Sequence, residues 1–159
     1  MLSGLSTADR PVPVLRLSLK RTISMNELQL KIEAVKKKIN PSYGQYVTVG
    51  EGWHQIVVDC DEELTAIDPN YQILQIKEKF GGLRYYMSPS NHVTSEQRDA
   101  MYEVVSKYEK IAARTCEVTG LPGVLMKSIG GWLKTLNPEY LASTRHYARY
   151  TAVTPSIES

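Results

Sequence analysis

The stretch Gln75-Ile76-Lys77-Glu78-Lys79-Phe80-Gly81-Gly82-Leu83-Arg84-Tyr85-Tyr86 fixes one part of this fold before anything else is known. Apolar and charged residues alternate up to a Gly-Gly pair, and an aromatic-rich run follows. Alternation with period two places side chains on opposite faces of a strand. A two-residue loop between strands needs positive φ, which glycine supplies without steric cost. The segment predicts a β-hairpin over about 72–87 with Gly81-Gly82 at its turn. Such a hairpin presents Lys77, Lys79 and Arg84, with Tyr85 or Tyr86, on or near one small surface.

The flanking sequence supplies helices for this hairpin to pack on. Leu28, Ile32, Val35 and Ile39 recur at helical spacing from Asn26 to Ile39, and Asn40-Pro41 ends the run. Lys36-Lys37-Lys38 falls in the last turn, where cations complement the helix dipole, so the run is explained without nucleic acid. A second helix fits Trp53 to Ile67, with Cys60 as a small apolar residue and Asp59, Asp61, Glu62 and Glu63 as a solvated face. Thr94-Ser95-Glu96-Gln97 has the form of a capping box, and a third helix is expected from there to about Arg114. Its buried stripe is read as Met101, Val104, Val105, Tyr108 and Ile111. A second small hairpin is expected near 123–136, turning at Gly130-Gly131. Together these elements predict an α+β fold of small antiparallel hairpins against three helices.

Three segments follow along the chain. Residues 1–24 are basic, interrupted by Pro11 and Pro13, and are expected to be a poorly ordered extension; residues 25–145 form one α+β domain; 146–159 make a flexible tail. A basic arm is the sharper alternative for 1–24, although such arms carry denser charge. The formal net charge of +2 is too small to argue for nucleic acid by itself. Two cysteines, Cys60 and Cys116, do not make a disulfide framework. No run is apolar enough for a bilayer, and no secretory leader is evident, which together suggest a cytoplasmic protein. Ten Tyr against one Phe puts much of the aromatic surface at boundaries, either half-buried or on a binding face.

Several blocks also occur in a recognisable order: Gly52-Trp53, the Gln75–Tyr86 segment, Thr115-Cys116-Glu117 with Gly120, Pro122 and Gly123, and Gly130-Gly131-Trp132-Leu133-Lys134-Thr135-Leu136. Together they resemble a family of small proteins of uncharacterised activity from phages, prophages and bacteria, over roughly residues 50–141. The resemblance implies a C-terminal zinc-knuckle-like unit, in which a Cys-x-x-Cys-Gly turn and a Cys-x-x-His pair supply four ligands. Here Cys116 keeps the first ligand position, while Thr119, Asn137 and Tyr140 stand at the other three. Neutral Thr, Asn and Tyr replace thiolate and imidazole poorly. The C-terminal segment is therefore expected to be a degenerate zinc-ribbon-like unit with no metal, held by hydrogen bonds and the packing of Trp132 and Leu136.

Catalytic patterns are absent from the sequence. His54, His92 and His146 lack ligand spacing, and no nucleophile elbow, phosphate loop or dinucleotide fingerprint is present. The expectation is a non-catalytic binding module of phage or mobile-element origin, without cofactor, working in the host cytoplasm. Its partner would be a host protein or a small anionic, nucleotide-like ligand. Trp53, Lys77, Lys79, Arg84 and Tyr85 are the candidate ligand-binding residues, with Trp53 walling the site. Nucleic-acid binding is the alternative, and a small enzyme a weaker one.

Overall fold

The computed structural model describes residues 23–145 and 149–154. Its first helix, α1 (Met25–Lys38), begins one residue before the expected start, because Ser24 caps it: Ser24 Oγ accepts the Glu27 N–H at 3.2 Å. Most of the expected N-terminal extension, and residues 146–148 and 155–159 of the expected tail, lie outside the described residues. A short strand, β1 (Val47–Thr48), follows in a segment where the sequence predicts no element. A 3₁₀ turn at Glu51–Trp53 then leads into α2 (His54–Ile67). The hairpin strands are β2 (Gln72–Lys79) and β3 (Gly82–Ser88), and α3 (Ser95–Ala112) follows. The expected capping box is present, with Thr94 and Gln97 exchanging side-chain-to-backbone bonds. The chain continues through β4 (Val124–Ser128), β5 (Leu133–Leu136), the short α4 (Pro138–Ser143) and β6 (Tyr150–Ala152).

Two three-stranded sheets result. In the first, β1 runs parallel to β2, and β2 is antiparallel to β3. In the second, β4 is central between β5 and β6, antiparallel to both. The β6 strand corrects part of the expected flexible tail. A lone β4–β5 ribbon leaves one edge of β4 unpaired, and Tyr150–Ala152 closes it.

The main core lies between the inner face of the first sheet and the three long helices. Ile73, Ile76, Leu83, Tyr85 and Met87 face Ile32, Val35, Val57, Leu64, Met101 and Val105. On α3 the buried stripe is Met101, Val105, Tyr108 and Ala112. Ile111, expected within it, is exposed, because the 3.6-residue period carries the stripe to position 112 instead. A smaller cluster of Cys116, Met126 and Leu136 holds the second sheet.

The acidic run on α2 is not simply a solvated face. Asp61 is largely buried, receives Lys38 Nζ at 2.5 Å, and accepts the Tyr71 hydroxyl. The Tyr71 oxygen lies 2.9 Å from that of Tyr85. Glu62 pairs with Lys31 at 2.7 Å, and Glu63 with Lys107 at 2.6 Å and with the Tyr108 hydroxyl. These carboxylates tie α2 to α1, α3 and the hairpin. A charge at a helix–helix boundary meets the cations of the neighbouring helices, which helical periodicity within α2 cannot show.

The two sheets are joined at two places. Gly52 N donates to Glu117 O at 2.9 Å, and the Trp53 indole N–H donates to Thr115 O at 2.7 Å. A Cβ on Gly52 would stand 2.3 Å from Cys116 O, so only glycine permits this approach. The second junction is the hairpin tip, where the buried Thr135 hydroxyl donates to Gly81 O at 2.7 Å.

Candidate functional site

The β2–β3 register sorts the sequence-predicted residues onto two faces. Lys77 pairs with Arg84, and Gln75 with Tyr86, on the outer face. Ile76 pairs with Tyr85, and Glu78 with Leu83, on the inner face. Lys77, Lys79 and Arg84 are thus brought together at the surface. Tyr85 and Trp53 are not: they are 3% and 0% exposed, and both belong to the core. The reasons lie in contacts between segments. Tyr85 takes the inward phase of the strand and meets Tyr71, while burial pushes its phenol well up. Trp53 is held under the Thr115 carbonyl at the junction of the two sheets. Two aromatics accompany the hairpin cations: Lys77 Nζ lies 5.7 Å from the Tyr86 ring centre, and Lys79 Nζ 5.2 Å from that of Phe80.

The turn lies one residue earlier than expected. Lys79 pairs with Gly82, so the loop is Phe80-Gly81, with φ of +54° and +77°, the pair of positive values that a type I′ turn requires. Gly81 suits this conformation, and a Cβ there would stand 2.5 Å from a Leu125 methyl. Phe80 does not suit it. A bulky side chain at positive φ costs about 1–2 kcal/mol, and Phe80 recovers little by packing, since it is 69% exposed.

A second exposed aromatic lines the same cleft as Phe80. Trp132, 75% exposed, sits at the β4–β5 tip, where its backbone N–H donates to Ser128 Oγ at 3.0 Å. Glu78, Lys79, Phe80, Gly130, Gly131, Trp132 and Leu133 line a cleft of about 450 Å³ between the two tips. Sequence reasoning placed Trp132 in the packing of the C-terminal unit, and this is corrected: Leu136 is buried there, whereas Trp132 points to solvent. Phe80 and Trp132 were missed as site residues. The available signal was an aromatic at the tip of each predicted hairpin.

Phe80→Asn is expected to stabilise the protein by about 1 kcal/mol, since Asn tolerates left-handed backbone. Thermal unfolding checks this, and the midpoint should rise by about 2–4 °C. A fall in midpoint would show that the ring contributes packing that outweighs its backbone strain.

The positions matching a zinc site converge but do not form a metal-ligand set. Cys116 is fully buried. Burial alone would push its thiol up, but the Thr119 hydroxyl and the N–H groups of Thr119, Val118 and Asn137 point at the sulfur and hold it lowered. The Asn137 amide oxygen accepts Tyr140 N–H at 2.9 Å, and its Nδ2 donates to Pro122 O at 2.8 Å. At these positions only Cys116 carries a zinc-type ligand, and neutral Thr119, Asn137 and Tyr140 replace thiolate and imidazole poorly, so the residues present do not fit zinc. Among the described residues no group of three His, Cys, Asp or Glu side chains is placed to hold a metal. His54 is half-buried, which lowers its pKa. Burial raises the Cys60 thiol, leaving it an inert core residue.

Comparison with protein-family models, curated proteins and solved structures finds no match to this chain. No described helix is long and apolar enough to cross a membrane.

Proposed function

We propose that this protein is a non-catalytic binding module, of phage or mobile-element origin, that recognises an anionic partner in the host cytoplasm through the outer face of the β2–β3 hairpin. The partner is a host protein with an acidic surface or a small nucleotide-like anion. One observation carries the proposal: Lys77 and Arg84 stand directly opposite each other, with Lys79 two residues away, and none is in an ion pair among the described residues. Like charges in cross-strand register are destabilising. Five other cations, Lys31, Lys36, Lys38, Lys107 and Lys134, each meet a carboxylate. Lys37, Arg98, Lys110, Arg114 and Lys127 stand outside the ion pairs among the described residues, but none of them faces another cation in cross-strand register. Leaving three uncompensated cations on a hydrogen-bonded hairpin suits a surface that an external anion completes.

The test is affinity purification from host lysate, with mass spectrometry of captured proteins and small molecules, using wild-type protein and the Lys79→Glu/Arg84→Glu variant. The variant is expected to lose the wild-type partner while its unfolding free energy stays within about 1 kcal/mol, as for exposed sites generally. Normal capture by the variant would place the binding surface elsewhere. Unfolding of the variant would make these residues structural.

A further inference from the structure

We infer that the cleft between the hairpin tips is a stacking site for an unpaired nucleobase, and that the nucleotide-like anion of the reading above is a unit of single-stranded nucleic acid; this rests on that anion-binding reading. Phe80 and Trp132 come from different sheets, are 69% and 75% exposed, and flank one cleft. Base–aromatic stacking needs exposed rings with room between them, and Lys79 Nζ, 5.2 Å from the Phe80 ring centre, sets a cation beside that stack. A volume of about 450 Å³ falls within the range of small-molecule sites and admits one nucleotide.

Both rings stand on fixed backbone. Gly81 N donates to Glu78 Oε1 at 2.6 Å, and Gly81 O accepts Thr135 Oγ1 at 2.7 Å. On the other tip, Ser128 N donates to Trp132 O at 2.9 Å and Gly131 N to Ser128 O at 3.0 Å. The backbone that carries each ring is therefore set before any ligand arrives, which lowers the ordering cost of binding. The strained φ of Phe80 fits the same account, since it turns the ring outward at a position where Asn or Gly would relax the turn.

Charge divides the site. Glu78 lines the cleft and disfavours a phosphate inside it, whereas Lys79 stands at the cleft and Lys77 and Arg84 lie further along the outer face. Lys77 is two residues from Lys79, about 7 Å along a strand. A neutral planar base enters between the rings, and the phosphate chain leaves over the cations. Duplex bases are stacked inside their helix and cannot enter such a cleft without being flipped out.

Fluorescence anisotropy with a labelled short oligothymidylate tests this, with the matching duplex and inorganic polyphosphate as competitors. The proteins are wild type, Phe80→Ala, Trp132→Ala and Lys77→Glu/Arg84→Glu, each confirmed folded by its thermal transition. Single strand should bind in preference to duplex, with affinity falling as salt rises. Each aromatic variant should weaken oligothymidylate binding by about 5- to 100-fold and leave polyphosphate competition unchanged. The charge-reversed protein should lose both ligands. Unchanged oligothymidylate binding in both aromatic variants overturns the stacking site. If charge reversal still abolishes binding in that case, the anion-binding reading survives. If neither oligothymidylate nor polyphosphate binds, but lysate capture of a protein depends on Lys79 and Arg84, the nucleic-acid inference falls alone. No dependence on the cations in either experiment overturns both readings.

Discussion

Replacing Trp53 by alanine is expected to cost about 3–5 kcal/mol, the range for deleting a fully buried large aromatic. The ring is 0% exposed, in contact with the main core, and its N–H donates to Thr115 O at 2.7 Å. Truncation opens a cavity where α2 begins, and it also leaves the Thr115 carbonyl without that donor. The second sheet hangs partly on this junction, together with the Gly52–Glu117 bond. For a domain with a total stability of about 5–15 kcal/mol, the loss is a large fraction. Urea unfolding followed by circular dichroism measures it. Trp53→Phe keeps most of the volume and should cost less than the alanine change, about 1–2 kcal/mol. An alanine variant within about 1 kcal/mol of wild type would show that Trp53 is not the joint between the sheets. Partner binding by the folded fraction should be unchanged, because the ring does not reach the outer face.

Lys134→Met is expected to be the next most damaging change. Glu117 is 3% exposed, one of its oxygens takes Lys134 Nζ, and Oε2 has no hydrogen-bond partner among the described residues. Removing the cation leaves a buried carboxylate uncompensated, at a cost of about 2–4 kcal/mol; Lys134 is partly exposed, so the effect is below that of a fully buried pair. Burial raises the Glu117 pKa, against the lowering effect of Lys134, and the nearby Glu78 raises it slightly further. The folded carboxyl therefore holds its proton to higher pH than the unfolded one. Stability from this group is greatest below the unfolded value and falls as pH rises through the folded value. In Lys134→Met the folded value moves higher still, so the deficit should be smaller in mild acid than near neutrality. Adding Glu117→Gln should restore much of the loss and flatten that pH dependence. Denaturant midpoints measured across pH for the three proteins decide the matter. A pH-independent deficit would assign the effect of Lys134 to packing of its stem.

How much of this was legible in advance depends on the range of the interactions concerned. The three long helices and both hairpins follow from periodicity and caps. The Thr94–Gln97 box and the Asn40-Pro41 stop are written within a few residues. The short β1 was not legible, because Val47–Thr48 becomes a strand only by pairing with Ile76 and Lys77. The same holds for β6 and its partner β4.

At the site, alternation in the Gln75–Tyr86 segment placed Lys77, Lys79 and Arg84 on a common surface, since a strand's period acts within the strand. It did not say which tyrosine shares that face. A one-residue change of register or turn exchanges inside for outside. The loop closed at Phe80-Gly81 rather than Gly81-Gly82, and the β2–β3 pairing turned Tyr85 inward and Tyr86 outward. The cleft depends on longer distances still, because Phe80 and Trp132 are separated by 51 positions of chain, from 80 to 132 exclusive, and meet only where Gly81 docks on Thr135. The sequence by itself determined the elements and the cations of this protein, because helical and strand periods, caps and turns act within a few residues. Tertiary structure alone decided which aromatics are buried and which are offered to a partner, because that choice is made by contacts between segments that no local pattern encodes.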